Sequence, residues 1–522
     1  MAKLSKSTRT VIIAAAVLLV LGAVCLVLLL TSPSDDKKES GADTATSEAS
    51  TAETEEVDTS YVITDREGTE VTKAEITNSL GSFTFLRQSR TVSDAEEYYW
   101  TSEQLKGAPS NDTLIKAFMN CLAGLKASEL VEENAGDLDK YGLKTPVSTA
   151  KITFADGTEQ TVHFGIQNPS EMTSVYCRTD GSSDVYMISY YSVGDVYYGI
   201  TDFVDMSITE AYSTDDPQEL DYFIIERKDL EEPIEISYMY DVQEESEKDT
   251  DEILVTTFNS HRITTPFVAE VDSVKGQTVC YGLYGLSASY CISVDPDEAL
   301  LAETGLDDPH CKLTFKYGGN RYVLLFGNKL INVTESEDES TPDLETVVGY
   351  YGMVEGSDII YAFATDSVPW YDITVEDIVS RRPVSPYIYT CDSVVVTTPE
   401  RVYEFKINGD ASENSFTLDG VELDNYKFKE LYQHLIAAVG EEIYRVDGDY
   451  EPFITVQLNY REKYHYFYGG ASDKIEYYKS DDRKNIVRVN GEVLFKVRQV
   501  YTERLLENIE ALISGGDLEL NW

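Results

Sequence analysis

Basic residues are scarce in this sequence of 522 residues, and their scarcity argues against two kinds of partner. Lys and Arg number 42 against 93 Asp and Glu, which gives a formal charge of −51. Proteins that bind nucleic acid neutralise phosphates with clustered Lys and Arg, and proteins that lie flat on anionic lipid need the same clusters. We therefore expect no nucleic-acid partner and no attachment to an anionic lipid surface.

Histidine and the usual catalytic motifs are scarce as well. No H-E-x-x-H or H-x-x-x-H pair occurs among the five histidines, which are His163, His261, His310, His434 and His465. No C-x-x-C spacing of the kind found in zinc sites occurs. The nearest approach to a G-x-S-x-G nucleophile elbow, at residues 285–289, lacks the final glycine. The sequence predicts no catalytic, cofactor-binding or metal-binding residue, and we do not expect an enzyme.

Two groups of acidic residues are the only candidates for a cation site. Both lack the spacing of an EF-hand loop, so weak Ca²⁺ binding is the alternative and a solvated loop is the preferred interpretation. The groups are Asp295, Asp297 and Glu298, and Asp447, Asp449 and Glu451.

The cysteines show no paired spacing. Cys25 falls in a long apolar run, and the other six are Cys121, Cys177, Cys280, Cys291, Cys311 and Cys391. A location outside the cytoplasm would permit disulfides. Isolated cysteines in strands and helices more often behave as small buried hydrophobic residues, which is the interpretation we favour here.

The longest apolar run, residues 11–30, contains no charged residue. As a helix it would be about 30 Å long, which matches the hydrocarbon core of a bilayer. Lys3, Lys6 and Arg9 precede it without any acidic residue, so residues 1–10 are predicted to be a basic tail that stays in the cytoplasm. A cleaved signal peptide is the alternative, but the run is too long for one and no A-x-A site follows it. Val24 before Cys25 also fits a lipobox poorly.

Residues 31–60 combine nine acidic residues and two lysines with many Ser, Thr and Ala, and they contain no aromatic residue. Such a segment cannot bury enough apolar surface to fold, so it is predicted to be a disordered acidic linker. The tail carries +3 and the linker −7, which leaves −47 of the total −51 on the remaining chain.

The remaining chain carries a pattern that recurs about every 160 residues. In the first copy Ile152 and Phe154 alternate with polar residues, an Asp-Gly turn follows, and a second strand ends at Gly165. The second copy has its hairpin at residues 312–327, and the third is predicted to use residues 454–458 and 464–469. Each closing glycine predicts a positive φ or a close approach of backbone.

The pattern predicts an α+β fold made of three repeats, each an antiparallel sheet with helices on one face. The repeats span residues 61–215, 216–385 and 386–522, and each reads as two strands, a helix, two hairpins and a closing helix. The first helices are predicted at residues 113–128, 271–287 and 426–442. The closing helix of the first copy should place Val193, Val196 and Phe203 on one face behind an N-cap at Ser192, and that of the third should begin near Val497.

Tyrosine is unusually common, with 37 residues. Its dense run in the third copy could form an aromatic platform for a glycan or a peptide. The simpler interpretation is that Tyr forms strands well on sheets with one wet face. The residues concerned are Tyr460, Tyr464, Tyr466, Tyr468, Tyr477 and Tyr478.

Residues 113–208 resemble a bacterial family known as domain of unknown function 4340. The resemblance rests on Leu122-Ala-Gly-Leu-Lys-Ala127, Tyr141-Gly-Leu-Lys-Thr-Pro146, Ile152-Thr-Phe-Ala-Asp-Gly157 and Phe164-Gly165. It implies a single-pass membrane-anchored protein, often found beside transporters of the gliding-motility type as an auxiliary subunit. The family brings no known activity and no catalytic residues.

The sequence therefore predicts an interaction protein of the cell membrane. One spanning helix would hold its C-terminal domains outside the cytoplasm, where they would serve a membrane complex such as an exporter. A cell-surface binder of wall polymer or divalent cations is the second hypothesis, because the chain outside the membrane is acidic and rich in Tyr. A hydrolase of unrecognised type is the third.

Overall fold

The computed structural model describes residues 60–92, 95–213, 215, 220–238, 261–272, 274–334, 344–384, 386–409, 413–443, 451–468, 470–480 and 483–521. The predicted basic tail, the apolar run and nearly all of the acidic linker lie outside these residues. Within them, no helix is both long and apolar enough to cross a bilayer.

Strands dominate the described chain. Those of its first part are β1 (Tyr61–Val62), β2 (Val71–Asn78), β3 (Gly81–Val92), β4 (Ala95–Thr101), β5 (Lys126–Ala127), β6 (Glu129–Glu132), β7 (Ser148–Phe154), β8 (Glu159–Asn168), β9 (Glu171–Thr179) and β10 (Val185–Ser189). The middle part contains β11 (Leu220–Arg227), β12 (Ile234–Tyr238), β13 (His261–Thr265), β14 (Ala269–Glu270), β15 (Tyr290–Ser293), β16 (Cys311–Tyr317), β17 (Asn320–Thr334), β18 (Leu344–Val354) and β19 (Ile360–Ala364). The last part contains β20 (Cys391–Thr397), β21 (Val402–Gly409), β22 (Asn414–Leu418), β23 (Val421–Glu422), β24 (Glu442–Ile443), β25 (Ile454–Tyr460), β26 (Ser472–Lys479), β27 (Lys484–Val489) and β28 (Glu492–Arg498).

Helices are few and mostly short. They are α1 (Asp112–Ala123), α2 (Tyr190–Val193), α3 (Lys275–Tyr281), α4 (Glu298–Thr304), α5 (Val375–Ile378), α6 (Asn425–Ile436), α7 (His465–Tyr468) and α8 (Gln499–Ser514). Short 3-10 turns add Gly68–Glu70, Glu103–Leu105, Asp139–Tyr141, Gly194–Tyr197, Ile200–Phe203, Thr365–Ser367, Pro369–Tyr371, Ile388–Thr390 and Glu462–Tyr464.

The strands form three large sheets, whose pairings are all antiparallel. The first has the order β4-β3-β2-β7-β8-β9-β10-β6, the second β14-β13-β12-β11-β16-β17-β18-β19-β15 and the third β23-β22-β21-β20-β25-β26-β27-β28-β24. In each sheet the opening strand lies beside the first strand of a later four-strand meander. The predicted α+β fold built on antiparallel sheets is confirmed in this form, although strands outweigh helices more than the pattern suggested.

Three strands, not the predicted two, precede the first helix of each part. A further short strand after that helix crosses to the far edge of the sheet, where β6 pairs with β10, β15 with β19 and β24 with β28. These edge strands escaped the sequence pattern because their partners lie about 50 or more residues away in the chain.

The predicted bounds of the helices need correction. The helix predicted at 113–128 ends at Ala123, because the backbone of Leu125 accepts a hydrogen bond from the Ile63 amide at 2.9 Å and the next residues become β5. Those predicted at 271–287 and 426–442 are limited to α3 and α6. In the third part Val497 lies in β28, and the helix begins two residues later.

The closing helix predicted for the first part is broken into α2 and two 3-10 turns, and Ser192 does not cap it. The carbonyl of Val196 instead accepts hydrogen bonds from the side chains of Asn78 at 3.0 Å and Ser148 at 2.5 Å. Because this carbonyl is already satisfied by the sheet, the helical ladder stops there. Val193, Val196 and Phe203 are nonetheless fully buried, as the stripe predicted.

The glycines that close the first two hairpins are confirmed as points of close backbone approach. A Cβ on Gly165 would lie 2.1 Å from the Tyr141 carbonyl oxygen, and a Cβ on Gly327 would lie 2.1 Å from the Thr304 carbonyl oxygen. A hydroxyl also binds each glycine, since Tyr197 donates to the Gly165 carbonyl at 3.2 Å and Tyr371 to the Gly327 carbonyl at 2.9 Å. The same local design therefore recurs in two sheets.

The third hairpin differs from its prediction. Residues 464–469 were expected to form its second strand, but Glu462–Tyr464 is a 3-10 turn and His465–Tyr468 is α7. The partner of β25 is β26, and the Tyr460 amide donates to the Ala471 carbonyl at 2.9 Å, which leaves the residues between them outside the ladder.

Buried apolar side chains form one core in the first sheet and a second core that runs continuously through the other two. Phe118 of α1 lies 5.5 Å from Phe203, centroid to centroid, in the first core. The fully buried Trp370 belongs to the second core. The first and second sheets meet where the Thr209 hydroxyl donates to the Leu283 carbonyl at 2.6 Å and accepts from the Leu286 amide at 2.9 Å.

Candidate interaction surface

The acidic candidates for a cation site are engaged in local structure. Asp297 caps α4 by accepting from the Leu300 amide at 2.8 Å, and Asp295 lies 3.7 Å from the Lys106 ammonium. Asp447 and Asp449 lie outside the described residues. Across the part of the chain that the structure describes, no three His, Cys, Asp or Glu side chains are grouped to hold a metal ion.

The histidines lie far apart and in different environments. His434 is fully buried between α6 and α8, where its Nδ1 lies 2.9 Å from the Asn508 amide nitrogen and burial lowers the pKa of its imidazole to about 4. Burial also lowers the pKa of His261 to about 4. His163 is half-buried on β8, as expected for a strand residue, whereas His465, expected on a strand, lies in α7. These contacts are those of packed structural side chains.

The interpretation of the cysteines as buried hydrophobic residues is confirmed for five of the six that are described. Cys121 is half-buried, and the others are buried and free: Cys177, Cys280, Cys291, Cys311 and Cys391. Burial raises the pKa of these five thiols to about 12 and that of Cys121 to about 11. At neutral pH the thiols are therefore protonated and poorly nucleophilic.

The tyrosines considered as a platform mostly face inward. Tyr460, Tyr477 and Tyr478 are buried. Tyr460 stacks on Tyr468 with 4.0 Å between ring centroids, and the Tyr468 hydroxyl lies 3.1 Å from the Thr390 hydroxyl. Tyr464 and Tyr466 lie in the 3-10 turn and in α7. This arrangement agrees with the simpler interpretation, in which the rings pack within the sheet.

The most distinctive surface is a two-stranded arm that projects from the second sheet. We call Lys329–Thr334 of β17 and Leu344–Val348 of β18 the hairpin arm. β16 pairs with β17 only as far as Phe326, and β19 pairs with β18 only from Gly349 onward. The arm therefore continues beyond the sheet as a ribbon of two strands with no third strand beside it among the described residues.

Apolar side chains cover the hairpin arm on both of its faces. Ile331 lies opposite Val347, and Thr334 opposite Leu344. Five of its apolar residues expose between 37% and 65% of their surface: Ile331, Val333, Leu344, Val347 and Val348. A two-stranded ribbon is marginally stable in water, and clustered exposed apolar side chains mark binding surfaces in soluble domains. The arm is thus the candidate interaction surface.

Sequence analysis missed the hairpin arm because it divided the arm between two hairpins and an acidic loop at residues 334–345. A signal was present, since the β-branched Ile331 and Val333 continue the strand alternation past Gly327. The first sheet has only a short counterpart, where Ile166 and Met172 are exposed near the turn from β8 to β9.

A cleft of about 310 Å³ lies between the second and third sheets. Ile234 and Phe267 form part of its apolar wall, and Glu231, Glu232 and Glu376 line it with carboxylates. These residues come from the turn after β11, from β12, from the loop after β13 and from α5. The cleft is acidic, in keeping with the chain as a whole.

Comparison with known proteins identifies one segment. Residues 100–253 match the family model described as domain of unknown function DUF4340, which confirms the resemblance seen in the sequence. The match begins at the end of the first three strands and continues into β11 and β12 of the second sheet. No curated protein and no solved structure matches the chain.

Proposed function

We propose that this chain, whose residues 100–253 form a DUF4340 segment, is a single-pass membrane protein that holds an interaction module outside the cytoplasm. It would act as an accessory subunit of a membrane transport complex, with the hairpin arm in contact with a partner subunit. The observation that carries this proposal is the cluster of five exposed apolar residues on a ribbon without a third strand.

Anchoring is supported by the uncharged run at residues 11–30 and by the basic residues that precede it. If residues 31–60 form an acidic linker, they would separate the folded chain from the bilayer by about 30 Å on average. The −47 charge beyond the linker would keep that part away from anionic headgroups.

We further propose that the three sheets are copies of one unit, and that helices pack on one face of each. The shared strand order supports this, because the opening strand and the later meander meet in the same way each time. The matched contacts at Gly165 and Gly327, each bound by a tyrosine hydroxyl, support it for the first two sheets.

Anchoring is tested by extraction of membranes with alkaline carbonate. The full chain should remain in the membrane pellet, whereas a chain that lacks residues 1–30 should be released into the supernatant. Release of the full chain would contradict the anchor, and digestion of the C-terminal part by a protease added on the cytoplasmic side would contradict the topology.

The role of the hairpin arm is tested by capture from detergent-solubilised membranes. The triple variant Ile331→Thr, Val333→Thr and Val347→Thr keeps β-branched side chains but adds hydroxyls, and it should recover about tenfold less of a co-purifying transporter subunit. A matched control is the triple variant Val62→Thr, Val402→Thr and Val421→Thr, whose valines are equally exposed elsewhere. The proposal is rejected if no transporter subunit co-purifies, or if both triple variants capture it equally.

A further inference from the structure

The three sheets differ at one outer edge. In the second sheet, β14 pairs with the third strand β13 at Arg262 and Ile263, and in the third sheet β23 pairs with β22 at Thr417 and Leu418. The first sheet ends at its third strand, β4, because the chain turns into the Glu103–Leu105 3-10 turn instead of folding back. Among the described residues, no strand occupies the ninth position there.

β4 is long enough and rigid enough to accept another strand. Its seven residues pair with β3 from Leu86 opposite Thr101 to Val92 opposite Ala95. Trp100 is buried in the core of the first sheet and fixes the strand in place. In an antiparallel edge strand, alternate residues direct their N–H and C=O groups away from the sheet, so β4 offers a row of backbone donors and acceptors.

The side chains of β4 select the chemistry of the incoming strand. Glu96 and Glu97 are exposed, and Glu97 lies 3.3 Å from Arg90 of β3. Glu96 makes no ion pair within the described chain. Tyr98 is 46% exposed and packs against the Arg87 guanidinium at 4.8 Å. Opposite-charge pairs and aromatic–aliphatic pairs across strands are favourable, so Lys or Arg alternating with β-branched residues would fit this edge.

We propose that the outer edge of β4 binds an extended, basic strand of a partner protein by β-strand addition. Backbone hydrogen bonds to the edge supply affinity, while Glu96 and Glu97 select positive charge and Tyr98 supplies apolar contact. This site is separate from the hairpin arm and does not depend on it. A second copy of the chain fits less well, because it would bring another acidic edge and another strongly negative molecule to Glu96 and Glu97.

The test uses the purified full chain in detergent and a labelled heptapeptide of alternating lysine and valine, capped at both ends. Fluorescence anisotropy should show saturable binding, and hydrogen exchange should show that the peptide protects amides within residues 95–101. A peptide of the same charge with N-methyl groups on alternate residues should bind about tenfold more weakly, because it has lost donors to the edge.

Charge selection is tested with the double variant Glu96→Lys and Glu97→Lys. It should bind the lysine peptide about tenfold more weakly and prefer a glutamate–valine peptide of the same length. The matched control is Glu226→Lys with Glu404→Lys, since both acids are exposed but lie on β11 and β21, which are paired on both sides. The control should bind as the parent does.

Several results would overturn the proposal. Equal binding of the N-methylated peptide would mean simple attraction between a cationic peptide and an acidic protein. Protection that falls outside β4, equal loss of affinity in the control variant, or no binding at all would each reject the edge as a strand-binding site.

Discussion

The hairpin that follows the first helix is built alike in the first two sheets and differently in the third. In the first two, its second strand passes so close to a neighbouring turn that only glycine fits, at Gly165 and Gly327, and a tyrosine hydroxyl binds the glycine carbonyl. In the third, the aromatic segment leaves the ladder as α7, and Tyr468 stacks on Tyr460 at 4.0 Å. The second strand is taken by β26 instead.

This difference shows that aromatic alternation does not by itself define a strand. Residues 464–468 contain four aromatic residues besides one histidine, and such side chains pack equally well from a helical turn. In the first two hairpins the backbone contact at the glycine fixes the register, whereas in the third the stacked tyrosines close the excursion.

The largest expected effect comes from closing the space at the two glycines. Gly165→Ala and Gly327→Ala should each destabilise the chain by about 3 kcal/mol, because the new Cβ would meet a backbone carbonyl that cannot move away cheaply. Hydrogen exchange should show the loss mainly in the first sheet for Gly165→Ala and in the second for Gly327→Ala.

The matched control for the glycine variants is Gly470→Ala in the third hairpin, where a Cβ would meet nothing within 4 Å. Its stability should stay within about 0.5 kcal/mol of the parent. A parent-like urea midpoint for Gly165→Ala would show that the close approach does not constrain the first sheet.

The second effect depends on pH and separates the first sheet from the others. His261 and His434 have pKa values lowered to about 4 by burial, whereas an unfolded histidine titrates near 6.5. The unfolded chain therefore binds more protons below pH 6.5. The stability from these histidines is full above that pH and falls as the pH drops toward 4.

Between pH 6.5 and 5, each buried histidine should cost about 1–2 kcal/mol of stability in the second and third sheets. The first sheet contains only the half-buried His163 and should lose less. Hydrogen exchange at the two pH values, corrected for intrinsic rates, measures the difference. His434→Gln should abolish the third sheet's share, and equal losses in all three sheets would disprove this explanation.

The smallest effect separates the two tyrosine hydroxyls. Tyr371→Phe should destabilise the second sheet by about 1–2 kcal/mol, because it leaves the carbonyl of Gly327 unsatisfied in a buried site. Tyr197→Phe should cost less, since its bond is longer and its side chain is only half-buried. Tyr191→Phe is the control, because Tyr191 is 83% exposed. Thermal melting of the three variants measures the order, and a larger loss for Tyr197→Phe would contradict it.

Local signals predicted much of what the structure shows. Alternating apolar residues around Asp156-Gly157 and Gly318-Gly319 predicted the hairpins β7–β8 and β16–β17, because two-residue turns fix the pairing of strands close in sequence. The isolated spacing of the cysteines predicted their burial. The resemblance to the DUF4340 family also followed from short motifs in one continuous segment.

The candidate surfaces were beyond local signals. Whether Ile331 and Val333 lie in a sheet or on a free ribbon depends on where β16 and β19 end, and the exposed edge of β4 depends on a strand that the other sheets have. Likewise, Asn78 breaks the predicted closing helix across more than 100 residues of chain.

By itself, the sequence determined the antiparallel, sheet-rich architecture, since alternation and turn residues act between neighbours in the chain. Tertiary structure alone decided which strands lie at the edges, how far a hairpin projects and whether an aromatic segment extends or coils. Those outcomes depend on backbone hydrogen bonds and buried contacts between residues distant in sequence, such as Tyr460 with Tyr468 and Thr390 in the third sheet.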